Sequence, residues 1–178
     1  MKVFIDTCVL FPTLTRELLM GFARAASFEP LWSPDVLGEW RSVARRTGKY
    51  APDPEIDRLV EEFPAALVEY TPETLLPLSL PDPNDIAILA AAIDGGAEEL
   101  LTFNSRDFPI RTLAKHGLIR RHPDEFLLEQ FQMDPDIARS ITDITLKKAQ
   151  ADGFDASNPR RIFKRSLLPR FGKALYRS

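Results

Sequence analysis

The sequence is poor in cysteine and in long hydrophobic runs. Cys8 is the single cysteine among 178 residues. A disulfide framework and a cysteine-rich zinc site are therefore excluded. Cys8 falls at the end of an apolar strand pattern, where a buried, inert thiol is the expectation rather than a nucleophile. No window reaches the ~18 apolar residues of a membrane span, and no membrane partner is expected. The opening MKVFID enters a strand pattern at once. This leaves no room for a signal peptide, and a reducing, cytoplasmic setting is expected. Internal repeats and low-complexity runs are absent. The net charge is also small: 26 acidic against 23 basic side chains give a formal −3, so bulk charge points to no partner.

What is present is the composition of a globular protein, with 44% hydrophobic and 28% charged residues. The length suits one full domain plus an extension. Lys2-Val3-Phe4-Ile5 reads as a strand buried on both faces. A helix is predicted over Thr15–Ala23 and a short strand at Pro30–Trp32. Ser33-Pro34 begins a helix reaching about Arg46, with Ser as N-cap and Pro in the first turn. Asp53-Pro54-Glu55 opens another helix, Leu67–Glu69 reads as a strand, and a proline-rich loop covers residues 70–84. Ile86 to Ile93 is apolar on every side, the mark of a buried helix; Gly95 and Gly96 end it. Glu99 to Phe103 is a strand, Leu118-Ile119 an edge strand, and Pro123 begins a helix. This alternation argues for an α/β fold, a parallel sheet flanked by helices. Beyond Gln130 only helical patterns appear. One is capped by Asp134-Pro135, with Ile137, Ile141, Ile144 and Leu146 as its apolar side. A second is capped by Asn158-Pro159, with Ile162, Phe163, Leu167 and Leu168. The expected organisation is a domain over residues 1–128 and a helical, basic C-terminal extension over 129–178.

Four acids stand out. Asp6 directly follows the first strand. Glu39 lies three after Val36 and four before Val43, on or beside the buried stripe of its helix. A glutamate there needs compensation, from a metal or from Arg41, Arg45 or Arg46. Asp85 heads the apolar helix, and Asp107 lies just past a strand end. Asp82-Pro83 already supplies a helix start, so Asp82 reads as the structural acid and Asp85 as the surplus one. A parallel sheet can bring Asp6, Asp85 and Asp107 to its carboxyl edge, where ligands gather in open α/β sheets. Two carboxylates about 4 Å apart repel by roughly 4 kcal/mol at an effective dielectric near 20. Such a group calls for protons or a cation. An all-oxygen ligand set favours Mg²⁺ or Mn²⁺, and phosphodiester hydrolysis is chemistry that uses such sites.

The segments Val3-Phe4-Ile5-Asp6-Thr7, the Glu39 helix, Asp85 followed by Ala90-Ala91, and Leu101 to Phe108 resemble the PIN domain. In particular they are similar to the ribonuclease toxins of bacterial VapBC toxin–antitoxin pairs. Pro123-Asp124-Glu125-Phe126-Leu127 resembles the start of the helical tail of some relatives. The resemblance spans residues 1 to about 128. It implies a Mg²⁺/Mn²⁺-dependent endoribonuclease acting on single-stranded or structured RNA, with a cognate antitoxin protein as partner and a homodimer as a further option. Carried over to this sequence, Asp6, Glu39, Asp85 and Asp107 are the catalytic and metal-binding acids. Thr102 and Asn104 are the polar positions among them, and Thr7 stands beside Asp6. Asn104 occupies a position where many relatives carry an acid, which leaves open whether Asp107 or Asn104 lies nearer the metal.

Two other readings compete. A phosphatase of the haloacid-dehalogenase type also begins with a strand and an Asp, but it needs a second Asp where Cys8 stands. A non-catalytic PIN-like module that binds RNA or an antitoxin has no reason to keep four mutually repelling acids. One segment lies outside the domain. From Ala156 to Ser178 there are seven basic residues and no acid: Arg160, Arg161, Lys164, Arg165, Arg170, Lys173 and Arg177. Three roles stay open for it: contact with an RNA backbone, through Arg160, Arg161, Lys164 and Arg165 above all; a seat for an acidic antitoxin segment; or a solvated helix face.

Overall fold

The computed structural model describes residues 1–48, 51–153 and 157–176; Arg177, the last cation of the acid-free stretch, lies outside them. In chain order the elements are β1 (Lys2–Ile5), α1 (Thr7–Leu10), α2 (Thr13–Arg24), β2 (Glu29–Leu31), α3 (Pro34–Thr47), α4 (Asp53–Glu62) and α5 (Pro72–Leu75). A 3-10 turn at Pro83–Asp85 leads into α6 (Ile86–Asp94), followed by β3 (Glu99–Leu101), α7 (Ile110–Ala114) and β4 (Ile119–Arg121). The last four are α8 (Pro123–Met133), α9 (Pro135–Ala151), α10 (Pro159–Arg165) and α11 (Pro169–Leu175). Two compact units result: Met1–Phe11 with Glu29–Arg120, and Pro12–Phe28 with Arg121–Ser178. Residues 12–28 and 121–128, placed by the sequence pattern with the first domain, group here with the C-terminal helices.

The first unit is built on a four-stranded parallel sheet in the order β2-β1-β3-β4, flanked by helices. β1 is central: Val3 aligns with Pro30 on one side and with Glu99 on the other. Val3, Phe4 and Ile5 are fully buried, as their unbroken apolar run requires. The chain passes from β1 to one neighbour, then later to the other. The carboxyl ends of β1 and β3 therefore form the switch point at which such sheets open a crevice. The Asp6 amide donates to Leu101 O at 3.1 Å, which holds the two strand ends side by side. The Leu67–Glu69 strand shrinks to a single parallel bridge between Trp32 and Leu67.

Local chemistry sets the helices. Ser33 accepts the Val36 amide and Pro34 fills the first turn of α3. Gly48, in the left-handed region at φ 62°, ends it. Val36, Leu37, Trp40 and Ala44 form its buried face, whereas Glu39 is exposed. The expected place of Glu39 on the buried stripe is thus corrected: the stripe runs along the 36/40/44 ridge, and position 39 falls on its solvent side. In α6 the apolar run is buried from Ile88 to Ala92, as an all-round apolar helix must be. Cys8 belongs to α1 rather than to the strand end, because the chain turns helical directly after Asp6.

The second unit is helical throughout its described residues apart from the end of β4. α2 and α9 approach closely at Gly21, where any Cβ would stand 2.4 Å from Ile141 Cγ2. Beside this, Glu17 and Lys148 pair at 2.9 Å. The buried face of α9 is Ala138, Thr142, Thr145 and Leu146. Ile137 and Ile144, assigned to the apolar side from sequence, are exposed, Ile144 at 65%. Ile141 and Leu146, from the same expected apolar side, do face inward: Gly21 makes room for the Ile141 side chain, and Leu146 is buried. The expected single helix after Asn158 is two. Leu167, at φ 59° and 54% exposed, turns the chain between α10 and α11, so it leaves the apolar face where Ile162, Phe163 and Leu168 are buried. Asp124, buried in α8, accepts the Arg170 amide at 3.1 Å and the Phe171 amide at 2.9 Å. It thereby supplies the amino end of α11 with acceptors that Leu168, its N-cap, lacks.

Two stability changes follow. Asp124→Ala leaves two amide donors without partners and is expected to cost about 2 kcal/mol, seen as a melting temperature lower by roughly 4–8 °C. Leu167→Gly relieves the left-handed strain of a bulky side chain, which outweighs the added chain entropy. It is expected to leave the melting temperature equal or raise it by a few degrees.

Candidate metal centre

The carboxyl end of β1 delivers Asp6 to the crevice. Its backbone is extended (φ −71°, ψ 154°), and its carbonyl accepts the Val9 and Leu10 amides of α1. Its side chain makes no capping bond and is only 5% exposed. Oδ2 accepts the Thr102 hydroxyl at 2.7 Å and the Cys8 thiol at 3.0 Å. The Thr102 oxygen in turn accepts the Asn104 amide at 2.9 Å, which orients its hydroxyl toward Asp6. No hydrogen bond reaches Asp6 Oδ1 among the described residues. Burial first, and then the Asp6 charge, push the Cys8 thiol up to about 12. It stays protonated and donates, so the inert reading of Cys8 holds while its place is at the edge of the site.

The 3-10 turn positions the next two acids. Asp82 Oδ1 accepts the Asn84 amide at 2.9 Å and caps the turn. Asp85 then needs no capping role and makes none. Its Oδ2 is buried and without a hydrogen-bond partner. Burial raises the Asp85 carboxyl to about 7, followed by the charges of Asp6, Asp82, Asp107 and Glu39 in that order. Asp107 comes from the loop after β3, where Asn104 Nδ2 donates to its Oδ2. That loop is clamped from β4: Arg120 donates to the carbonyls of Ser105 at 2.6 Å and Phe108 at 2.9 Å.

One carboxylate oxygen each from Asp82, Asp85 and Asp107 lies within 4.8 Å of the other two. Two oxygens on opposite sides of a Mg²⁺-sized ion are about 4.2 Å apart, so small side-chain movements suffice to share one. All donors are hard oxygens, and Asp85 Oδ2 is a buried charge-bearing atom with nothing to offset it. The residues fit a divalent cation.

The site residues expected from sequence separate as follows. Asp85 and Asp107 meet directly. Asp6 stands next to them and exerts the largest of the charge effects on Asp85. Glu39 is exposed on α3 and exerts the smallest. Thr102 bonds to Asp6 and Asn104 bonds to Asp107, so the nearer of that last pair to the acidic group is Asp107. Thr7 spends its hydroxyl on Val36 O at 3.3 Å and so ties α1 to α3. From sequence Asp82 is a cap alone; in the structure it both caps and joins the acidic group. Its signal was present in the sequence: side chains three apart eclipse in a 3-10 turn, which puts Asp82 and Asp85 on one side.

The family model for the PIN domain matches residues 2–106. The chain belongs to the PIN-domain family. No curated protein and no solved structure matches it. PIN domains have a nuclease-type fold and typically use divalent metal ions, and the acidic group here lies at the crevice between β1 and β3 where this PIN domain opens.

The raised Asp85 carboxyl sets a pH signature. Below its unfolded value of 3.8 the group is neutral in both states; as pH rises toward about 7, the folded state resists an ionisation that the unfolded state accepts. Without divalent metal, stability should fall across that window more steeply in the wild type than in Asp85→Asn, and saturating Mn²⁺ should offset the loss in the wild type alone. Melting curves from pH 4 to 8 check this. Arg120→Met should unclamp the Asp107 loop and weaken Mn²⁺ binding severalfold, read by calorimetry, while the fold persists.

Proposed function

We propose that this PIN domain is a Mg²⁺- or Mn²⁺-dependent endoribonuclease that cuts single-stranded RNA. The observation that carries the reading is the buried, unpartnered Oδ2 of Asp85, in a residue whose carboxylate groups with those of Asp82 and Asp107. A site that only bound a partner would have no use for an acid whose carboxyl burial, and then the charges of its neighbours, raise. In the bound state Asp82, Asp85 and Asp107 would hold the ion, with the Asp6 charge acting beside them. The ion supplies charge neutralisation for the phosphate oxygens and a water of lowered pKa.

The protein's own groups divide the remaining work. Thr102 and Cys8 hold Asp6 in one rotamer by donating to a single oxygen. Asn104 fixes Asp107 in the same way. Asp85, as a ligand, would be ionised with the ion bound; without it, burial and the neighbouring acids keep its carboxyl raised to about 7. Glu39, exposed at the rim, adds negative charge on the α3 side.

We further assign the protein to the toxins of VapBC-type pairs, a reading supported by the order and types of Asp6, Glu39, Asp85, Thr102 and Asn104. Its partner would be a cognate antitoxin, and a cytoplasmic site of action accords with RNA as substrate. Asp6→Ala or Asp85→Asn is expected to lower RNA cleavage in Mn²⁺ by at least 100-fold with the fold intact, since each removes charge from a self-repelling group. Glu39→Gln should lower cleavage without lowering the melting temperature. Induced expression of the wild type should arrest growth and Asp85→Asn should not. Undiminished cleavage by Asp85→Asn would overturn the assignment.

A further inference from the structure

The helical unit carries a second feature that the acidic site does not use. Its sequence holds 13 Lys or Arg against 9 Asp or Glu, while the unit bearing the acidic group holds 10 against 17. Its surplus cations gather on α10 and α11. A depression of about 310 Å³ is lined by Arg160, Lys164 and Lys173 with Pro169 and Gly172 and by no acid. A second, of about 430 Å³, is lined by Leu128, Phe131, Gln132, Arg170, Lys173 and Ala174. Lys173 borders both: the first is a groove between α10 and α11, and the second lies between α11 and α8.

The groove is built rather than incidental. A Cβ on Gly172 would stand 2.5 Å from Phe163 Cβ, so α10 and α11 are pressed together at its floor. Phe163 is fully buried against Phe171, the rings 5.6 Å apart edge to face. Asp124 anchors the start of α11 from below. Arg160 is held by donating to Tyr176 O at 2.6 Å. Arg170 pairs with Glu125 at 3.1 Å, and Asp143 acts on Tyr176. Lys164 and Lys173 have no carboxylate partner among the described residues.

The two parts differ in chemistry. The first offers only cations, the environment of a phosphate. The second offers an aromatic ring, two aliphatic side chains and the Gln132 amide, which both donates and accepts. One face of Phe131 lies under the Arg139 guanidinium, 5.3 Å from the ring centroid. A cationic track beside an aromatic platform is how single-stranded nucleic acid is held: phosphates by charge, a base by stacking. An acidic peptide would use the first part and leave the ring and amide without a role.

We infer that the groove between α10 and α11, together with the depression it adjoins at Lys173, binds single-stranded RNA, with backbone phosphates on Arg160, Lys164 and Lys173 and a base against Phe131. The inference takes its ligand class from the proposed ribonuclease activity and adds a place on the helical unit where this chain grips the strand.

The test is fluorescence anisotropy of a labelled oligouridylate of about 20 nucleotides on the full chain in EDTA, where bound RNA is not cut, across a salt series. The triple variant Arg160→Glu/Lys164→Glu/Lys173→Glu is expected to weaken binding at least 30-fold. It should also lower the slope of log affinity on log salt by about 2, since each phosphate contact on a single strand contributes about 0.7. Phe131→Leu should weaken binding about 5-fold and leave the slope unchanged. Lys164→Gln/Lys173→Gln, which only neutralises, should lower the slope by about 1.4 and serves if the triple variant does not fold. Wild-type affinity and slope in the folded charge variants would overturn the inference. So would equal weakening of RNA and polyglutamate with no effect of Phe131→Leu, which would make the groove a seat for an acidic protein. Cleavage measured in parallel with Mn²⁺ separates the two claims: cutting that Asp85→Asn abolishes, beside unaltered binding in the groove variants, leaves the nuclease and removes the groove.

Discussion

Mutual repulsion among carboxylates is the constraint to which the rest of the first unit answers. β1 and β3 lie side by side and parallel, so Asp6 leaves the sheet at the same edge as the loop that carries Asp107. The 3-10 turn before α6 adds Asp82 and Asp85. Among the described residues no ion pair relieves the charge. The relief comes instead from protonation of Asp85, whose carboxyl is raised to about 7, or from a bound cation. The neighbours serve to hold this arrangement: Thr102 and Cys8 on Asp6, Asn104 on Asp107, and Arg120 on the Asp107 loop. Arg120 is informative because its donors go to carbonyls rather than to the acids. It fixes the loop without neutralising the charge that the site requires.

Much of this was legible in the sequence, for identifiable reasons. β1 could be read because four residues buried on both faces leave an unbroken apolar run. α3, α9 and α10 could be read because Ser33, Asp134 and Asn158 each stand before a proline in the first turn, and each accepts an amide as an N-cap does. Asp6 could be read because it is a charge directly after a buried strand, and Asp85 as a surplus acid because Asp82-Pro83 already starts the helix. Other features depend on geometry that no spacing rule contains. Glu39 was misplaced because a one-residue rotation on a helix moves a side chain from the stripe to the rim. Asp82 was undervalued because a residue with one sufficient role conceals a second.

The helical unit shows the same limit more strongly. Its partition joins residues 12–28 to residues 121 onward, a long-range grouping that a left-to-right reading divides at the change of pattern. The inner face of α9 holds Ile141, seated over Gly21, and Leu146 together with Ala138 and two threonines. Ile137 and Ile144 point outward, so apolar periodicity marked that face only in part. The break at Leu167 is invisible because a leucine in the left-handed region has no sequence signature. Yet that break sets α11 beside α10 and so creates the cationic groove.

The central claim is that the acidic group is a cation site whose charge is held in check by a proton on Asp85. Proton-linked Mn²⁺ binding tests it most directly, by calorimetry on the wild type at pH 6, 7 and 8.5 in buffers of different ionisation enthalpy. The account predicts binding that releases close to one proton at pH 6, about half of one at pH 7 and almost none at pH 8.5, with the release absent in Asp85→Asn. Failure to bind Mn²⁺, or binding whose proton release does not change with pH, would contradict it.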